Sequence, residues 1–306
     1  MHSLTMYALS MSDHAARNPN NKAGLLNLSD IKSNDLLTII EEFLESFKSD
    51  YFDVGDETTN SVMHTNKIQK NGRFISGWIE YGHYGVAGRI VNVKTKTHTP
   101  KTRDDSDMNY LYYCFYIPEK SHHGIALFHK TNTAAVKSVF DTSLNNWSTF
   151  KEKVGDLKLR IRPLTKHASV KDWMDRTRVK KVVLERYKNK EILSDLADLL
   201  PDGCTVNVTV NAPRGGAIGT MREWIEGTGD KYNETVSVLT DMCDEVSSQT
   251  EIRGRKAKTS LSNPGTESKI ILNRDVIEMV DGFPKFSSLD KFAQDLCEDL
   301  IKDITN

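Results

Sequence analysis

Residues 110–117, Tyr-Leu-Tyr-Tyr-Cys-Phe-Tyr-Ile, constrain the fold more than any other stretch of this chain. Aromatic and β-branched side chains favour an extended backbone, and Pro118 ends the run because it lacks an N–H for a ladder. One alternating set is Tyr110, Tyr112, Cys114 and Tyr116; the other is Leu111, Tyr113, Phe115 and Ile117. Both sets are bulky, so the run reads as a central strand covered on both faces. It does not read as a base-stacking platform, because no RNA-recognition pattern of glycines and aromatics accompanies it. Further strand-like runs lie at 74–82, 86–93 and 124–129, joined by polar connections, with a polar hairpin or loop from Lys94 to Asp107. Strands so closely spaced form an antiparallel meander rather than a parallel sheet.

Helical periodicity brackets this region. Leu36, Leu37, Ile39, Ile40, Phe43, Leu44 and Phe47 recur on one side of a helix whose N-terminus Ser33, Asn34 and Asp35 can cap. Val136, Val139, Phe140, Leu144 and Trp147 mark a second helix, and Leu289, Phe292, Leu296, Leu300 and Ile304 a C-terminal one. Between them, 180–187, 204–210 and 269–273 read as strands and 170–176, 191–200, 220–226 and 234–248 as helices. Residues 252–265, polar and punctuated by Gly and Pro, read as an exposed loop or linker. The expected class is α+β: an antiparallel sheet with flanking helices, followed by a second α+β portion. The expected divisions are an N-terminal segment and helix at 1–60, a β-rich domain at 61–165 and a C-terminal portion at 166–306.

The chain has 306 residues, 38% of them hydrophobic and 27% charged, which excludes disordered, collagenous and disulfide-scaffold classes. No apolar run reaches the ~18–20 residues that span a bilayer. The first residues lack a basic start and an apolar core, so no secretory signal is expected. Cys114, Cys204, Cys243 and Cys297 form no CxxC pair and read as buried thiols, which suits a reducing cytoplasm.

The net charge of −1 conceals segregation. Residues 151–190 hold 14 basic and 5 acidic side chains, whereas 191–250 hold 3 and 11. Within the basic stretch, residues 157–162 alternate strictly: Leu157, Leu159 and Ile161 point one way, and Lys158, Arg160 and Arg162 the other. Two residues of strand rise space these cations about 7 Å apart. That spacing is close to the phosphate repeat of a nucleic-acid strand. Arg176, Arg178, Lys180, Lys181 and Arg186 extend the basic surface, with Trp173 and Tyr187 available for stacking. Arg253, Arg255 and Lys256 form a second basic cluster on the expected loop. The competing reading has these cations neutralised by the acidic segment 191–250, or docked on an acidic protein partner.

Local catalytic signatures are lacking. Gly77, Gly82, Gly85 and Gly88 do not lead from a strand into a helix, so bulges and a tight hairpin explain them better than a nucleotide loop. The strand-to-helix setting of Gly215-Gly216-Ala217-Ile218-Gly219-Thr220 suits a phosphate, but the glycine fingerprint is incomplete. His83, His122, His123, His129 and His167 lack metal-ligand spacing with Glu80 or with Asp104, Asp105 and Asp107. No nucleophile elbow is present. No catalytic residue, metal ligand or cofactor is therefore assigned.

One resemblance covers about a third of the chain, residues 72–165. It rests on Gly-Arg-Phe-Ile-Ser-Gly-Trp-Ile-Glu-Tyr-Gly-His-Tyr-Gly, Tyr-Cys-Phe-Tyr-Ile-Pro-Glu, Gly-Ile-Ala-Leu-Phe-His-Lys-Thr, Val-Lys-Ser-Val-Phe and Leu-Arg-Ile-Arg-Pro-Leu. This segment resembles uncharacterised bacterial proteins associated with mobile elements and anti-phage defence loci. The resemblance implies a setting, and it carries no catalytic residue. The expectation is a cytoplasmic, non-enzymatic defence module that contacts nucleic acid through 151–190. The alternatives are a protein-interaction or sensor subunit and a metal-dependent nuclease.

Overall fold

In chain order the elements are β1 (His2–Ser10), α1 (Leu36–Ser46), β2 (Phe52–Asp53), β3 (Ser61–Asn71), β4 (Phe74–His83), β5 (Gly88–Val91), β6 (His98–Lys101), β7 (Asn109–Tyr116), β8 (Gly124–Lys130), α2 (Lys137–Asn146), α3 (Ser148–Val154) and β9 (Arg160–Pro163). They continue with β10 (Arg178–Glu185), β11 (Val208–Asn211), β12 (Gly219–Thr220), β13 (Glu245–Ile252), β14 (Arg255–Ser260), β15 (Lys269–Leu272), β16 (Met279–Val280), β17 (Phe283–Pro284) and α4 (Phe286–Thr305). The computed structural model describes residues 2–19, 21–54, 60–164, 178–185, 207–220, 223, 245–252, 255–260 and 269–305. The class is α+β with antiparallel sheets. Two compact units divide it, Leu9–Ile161 and Met1–Ala8 with Arg162–Asn306.

In the first unit the expected meander forms, with the strand order β8-β7-β4-β3-β2. β7 lies between β4 and β8, with Tyr113 opposite both Gly77 and Phe128. Tyr112, Tyr113, Cys114 and Phe115 are fully buried, as the two bulky alternating sets require. α1 packs on β3 and β4. Its buried face, Leu36, Leu37, Ile39, Ile40, Phe43 and Leu44, is the one its periodicity marks. Asp35 caps it by accepting the Leu37 N–H at 2.9 Å. Phe140 of α2 joins the layers, with ring centroids 5.3 Å from Phe43, 5.0 Å from Phe115 and 5.5 Å from Phe128. The single helix expected over 133–150 is two, α2 and α3, with extended Trp147 between them.

Gly77 shows why a strand interior here needs a glycine. A bulge interrupts the β3–β4 register between Thr65 and Lys67 and presents the Lys67 carbonyl. The Tyr113 hydroxyl donates to that carbonyl at 2.9 Å. A Cβ on Gly77 would lie 1.8 Å from the same oxygen and 2.6 Å from the hydroxyl.

The 86–93 run departs from expectation. β5 pairs only with β6, in a separate two-stranded ribbon, Gly88 opposite Lys101 and Val91 opposite His98. The β4–β7 register closes at Tyr81 opposite Asn109, so the ribbon is an excursion from the sheet rather than a member of it.

In the second unit the strand order runs β11-β10-β13-β14-β15-β1, all antiparallel. Leu4 of β1 lies opposite Ile270 of β15. α4 buries Leu289, Phe292, Ala293, Leu296, Cys297 and Leu300 along one stripe. Two expectations are corrected here. Residues 245–248 belong to strand β13 rather than to a helix, and 255–260 form strand β14 rather than a loop. β14 is hydrogen-bonded on both sides, to β13 and β15, so its backbone is laddered whatever the polarity of its side chains. The expected helices at 170–176 and 191–200 lie outside the described residues.

Candidate nucleic-acid interface

The basic row is positioned from α2. Asn145, on the last turn of α2, accepts the Leu159 N–H with Oδ1 at 2.8 Å and donates from Nδ2 to the Leu159 carbonyl at 3.1 Å. One side-chain amide thus serves Leu159 as a neighbouring strand would. The same Nδ2 reaches Asp141 Oδ1 at 2.9 Å, and Asp141 also receives Lys137 at 3.0 Å. Leu159 and Ile161 are thereby held in the core, and Lys158, Arg160 and Arg162 fall on the exposed side. Gly155, at φ +69°, ends α3 and turns the chain into this segment, its N–H donating to the Lys151 carbonyl at 2.7 Å.

None of Lys158, Arg160 and Arg162 has a carboxylate within ion-pair distance among the described residues. Lys153, one turn earlier, is instead committed to Glu42 of α1. The alternation read from sequence therefore produces three outward cations along one segment.

The remaining predicted cations fare differently. Lys180 is exposed, but its Nζ donates to the Gly216 carbonyl at 2.7 Å, bracing the 213–216 turn. Lys181 is half-buried, opposite Asn211. Arg178 pairs with Thr220 at the β10–β12 ladder. Arg255 and Lys256, expected on a loop, sit instead in β14, opposite Ile252 and Glu251. At these two residues the ladder is to β13 alone, since the β15 pairing covers Lys258, Thr259 and Ser260. Arg176, Arg186 and Arg253 lie outside the described residues.

Two constellations escaped the sequence reading. Ser61 Oγ and His83 Nδ1 are 2.9 Å apart, the pairing of a nucleophile with a base, but Ser61 is only 1% exposed and also receives the Tyr81 hydroxyl at 3.2 Å. Its hydroxyl serves the sheet. Glu80 is buried on β4, where its carboxylate accepts from Tyr51 Oη at 2.8 Å and Asn66 Nδ2 at 2.7 Å. His64 Nδ1 stands 3.9 Å from the same carboxylate, and the His64 Nε2 lies 3.2 Å from the Lys48 carbonyl. The hydrogen bond to Glu80 raises the Tyr51 phenol above its ordinary value, and the negative charge of Glu80 raises Tyr110 likewise. These donors occupy the carboxylate and tie the 47–53 segment to the sheet. Among the described residues, no group of three or more His, Cys, Asp or Glu is placed to hold a metal ion.

Comparison with protein-family models and with curated proteins finds no match to this chain.

Proposed function

We propose that this protein is a nucleic-acid-contacting module whose phosphate-facing element is the row Lys158, Arg160 and Arg162, and that its role is binding rather than catalysis. The observation that carries the reading is the row's exposure without a carboxylate partner among the described residues, beside buried Leu159 and Ile161. Like charges held on the same side of one short segment repel one another, and a polyanion offsets that repulsion. The occupied Glu80 carboxylate and the buried Ser61 hydroxyl favour a binding role. The buried thiols of Cys114 and Cys297, which form no disulfide, are in keeping with a reducing cytoplasm. The likeness of residues 72–165 to bacterial proteins of anti-phage defence loci supports a defence setting.

The test is fluorescence anisotropy with labelled oligonucleotides over a range of salt. R160E/R162E should weaken binding and flatten the slope of log affinity against log salt by about 2, at ~0.7–0.9 for each phosphate no longer neutralised. Unchanged binding and slope would remove the row from the interface. A protein that copurifies with an acidic partner and ignores heparin would be an interaction subunit instead.

A further inference from the structure

The β5–β6 ribbon is the second basic surface, and its construction is unlike the first. Residues 86–103 contain Arg89, Lys94, Lys96, Lys101 and Arg103 and no Asp or Glu. Only Lys101 is ion-paired among the described residues, to Asp107 at the ribbon's base. Four large apolar side chains on the same excursion face solvent: Val86 at 75%, Ile90 at 57%, Val91 at 54% and Val93 at 74% exposure. A two-stranded ribbon on its own is marginal in water, so exposed apolar groups at its end work against it unless something covers them.

The ribbon is nevertheless ordered by its own bonds. Asn92 Oδ1 accepts the N–H groups of Lys94 and Thr95 at 3.0 and 3.1 Å, and the Asn92 N–H donates to the Thr97 carbonyl at 2.9 Å. Lys96 turns the corner at φ +62°. At the base, the Gly85 N–H donates to the Arg103 carbonyl at 2.7 Å, and Asp105 receives the Thr102 N–H at 2.6 Å and the Thr102 hydroxyl at 2.9 Å. From Gly85 to Asn92 the strand rise gives a reach of roughly 20 Å.

We infer that this ribbon is an arm that enters the major groove of duplex DNA. The partner's class comes from charge: Arg89, Lys94, Lys96 and Arg103, with no carboxylate in ion-pair distance among the described residues, fit a polyanion. Its form comes from shape and chemistry. The B-form major groove admits a two-stranded ribbon, and Ile90, Val91 and Val93 suit the thymine methyl groups displayed there. Single strands are held by stacking on aromatic rings, and residues 86–103 contain no Phe, Tyr or Trp. Duplex RNA closes its major groove to side chains. The inference shares with the proposed function only the class of partner, and rests on a different surface.

The experiment uses the full chain and four probes of one sequence: duplex DNA, duplex RNA, single-stranded DNA and single-stranded RNA. R89A/K94A/K96A should lower the salt slope for duplex DNA by about 3, at ~0.9 per phosphate. I90S/V93S should weaken duplex DNA binding about tenfold with the slope unchanged, since it removes apolar packing alone. K94A/K96A, at the solvent-facing tip, replaces the triple variant if the latter melts early, and should lower the slope by about 2. Arm variants that leave duplex DNA binding intact overturn the arm, and the row stands or falls by R160E/R162E. Arm variants that weaken it while R160E/R162E does not uphold the arm and sink the row. Preference for RNA or single strands, or loss of self-association in place of DNA binding, overturns the arm. Failure to bind any of the four probes overturns both.

Discussion

Asn145 and Leu159 are joined through both polar atoms of one side-chain amide, at 2.8 and 3.1 Å, and this bond pair determines which side chains of 157–162 face outward. Asn145→Ala leaves a backbone N–H and carbonyl without these partners and should cost about 1–3 kcal/mol in urea denaturation. Asn145→Asp should be worse, because it removes the Nδ2 donor and sets a second carboxylate against Asp141. Under the proposed function, both should also weaken nucleic-acid binding, although neither removes a cation. An N145A protein of full stability would refute the clamp.

Gly77→Ala should be among the most damaging single-methyl additions at the described glycines. The new Cβ meets a backbone oxygen at 1.8 Å, which no side-chain rotation relieves. Separating β3 from β4 at the bulge should cost more than ~3 kcal/mol. Tyr113→Phe, which removes only the hydroxyl that bonds Lys67, should cost about 1–2 kcal/mol. A midpoint comparison of the two variants by circular dichroism checks the order.

Asp35→Ala removes two functions at once. Asp35 caps α1, worth about 1 kcal/mol. It also receives both terminal nitrogens of Arg73, whose Nε donates to the Ile117 carbonyl at 2.6 Å. That pairing raises the Arg73 guanidinium still further above its ordinary value. Arg73→Lys keeps the charge but not the fork, and should lose stability where a bare ion pair would be conserved. Equal urea midpoints for wild type and R73K would show that charge alone suffices.

Alkaline pH should unfold the protein early. Burial pushes the Tyr113 phenol well above its ordinary value of 10.0, and bonding to Glu80 and Asp53 raises Tyr51 and Tyr84. The folded state therefore holds these protons longer than the unfolded chain does. Their contribution is complete below pH 10.0 and drains away as pH rises from there towards the folded values. Urea midpoints between pH 8 and 11.5 should fall above about pH 10, and less steeply for Y113F. An identical alkaline limb for Y113F would show that Tyr113 is not the group responsible.

The elements that bury one periodic stripe were legible in the sequence. α1, α4 and the 157–162 alternation follow directly from spacing, because a face packed on a core must repeat with the backbone. β14 was not legible. Its Arg-Lys-Ala-Lys-Thr-Ser reads as a loop by composition, yet a strand flanked on both edges is held by backbone bonds that carry no side-chain signature. The ribbon failed for the opposite reason. Its valines and Ile90 read as another sheet strand, since apolar content cannot distinguish a buried strand from an exposed one. The Asn145 clamp joins a side chain to a backbone 14 residues away, a relationship no local pattern encodes.

Because the β4–β7 ladder closes at Tyr81 opposite Asn109, while β4 continues along β3 to His83, residues 84–108 leave and rejoin the sheet through neighbouring positions. Closing a longer or shorter excursion there changes the chain entropy by only about 0.6 kcal/mol per doubling of length. The ribbon is thus a replaceable cartridge. A change in its length or lettering leaves the aromatic packing of β4 and β7 in place and costs the fold little chain entropy.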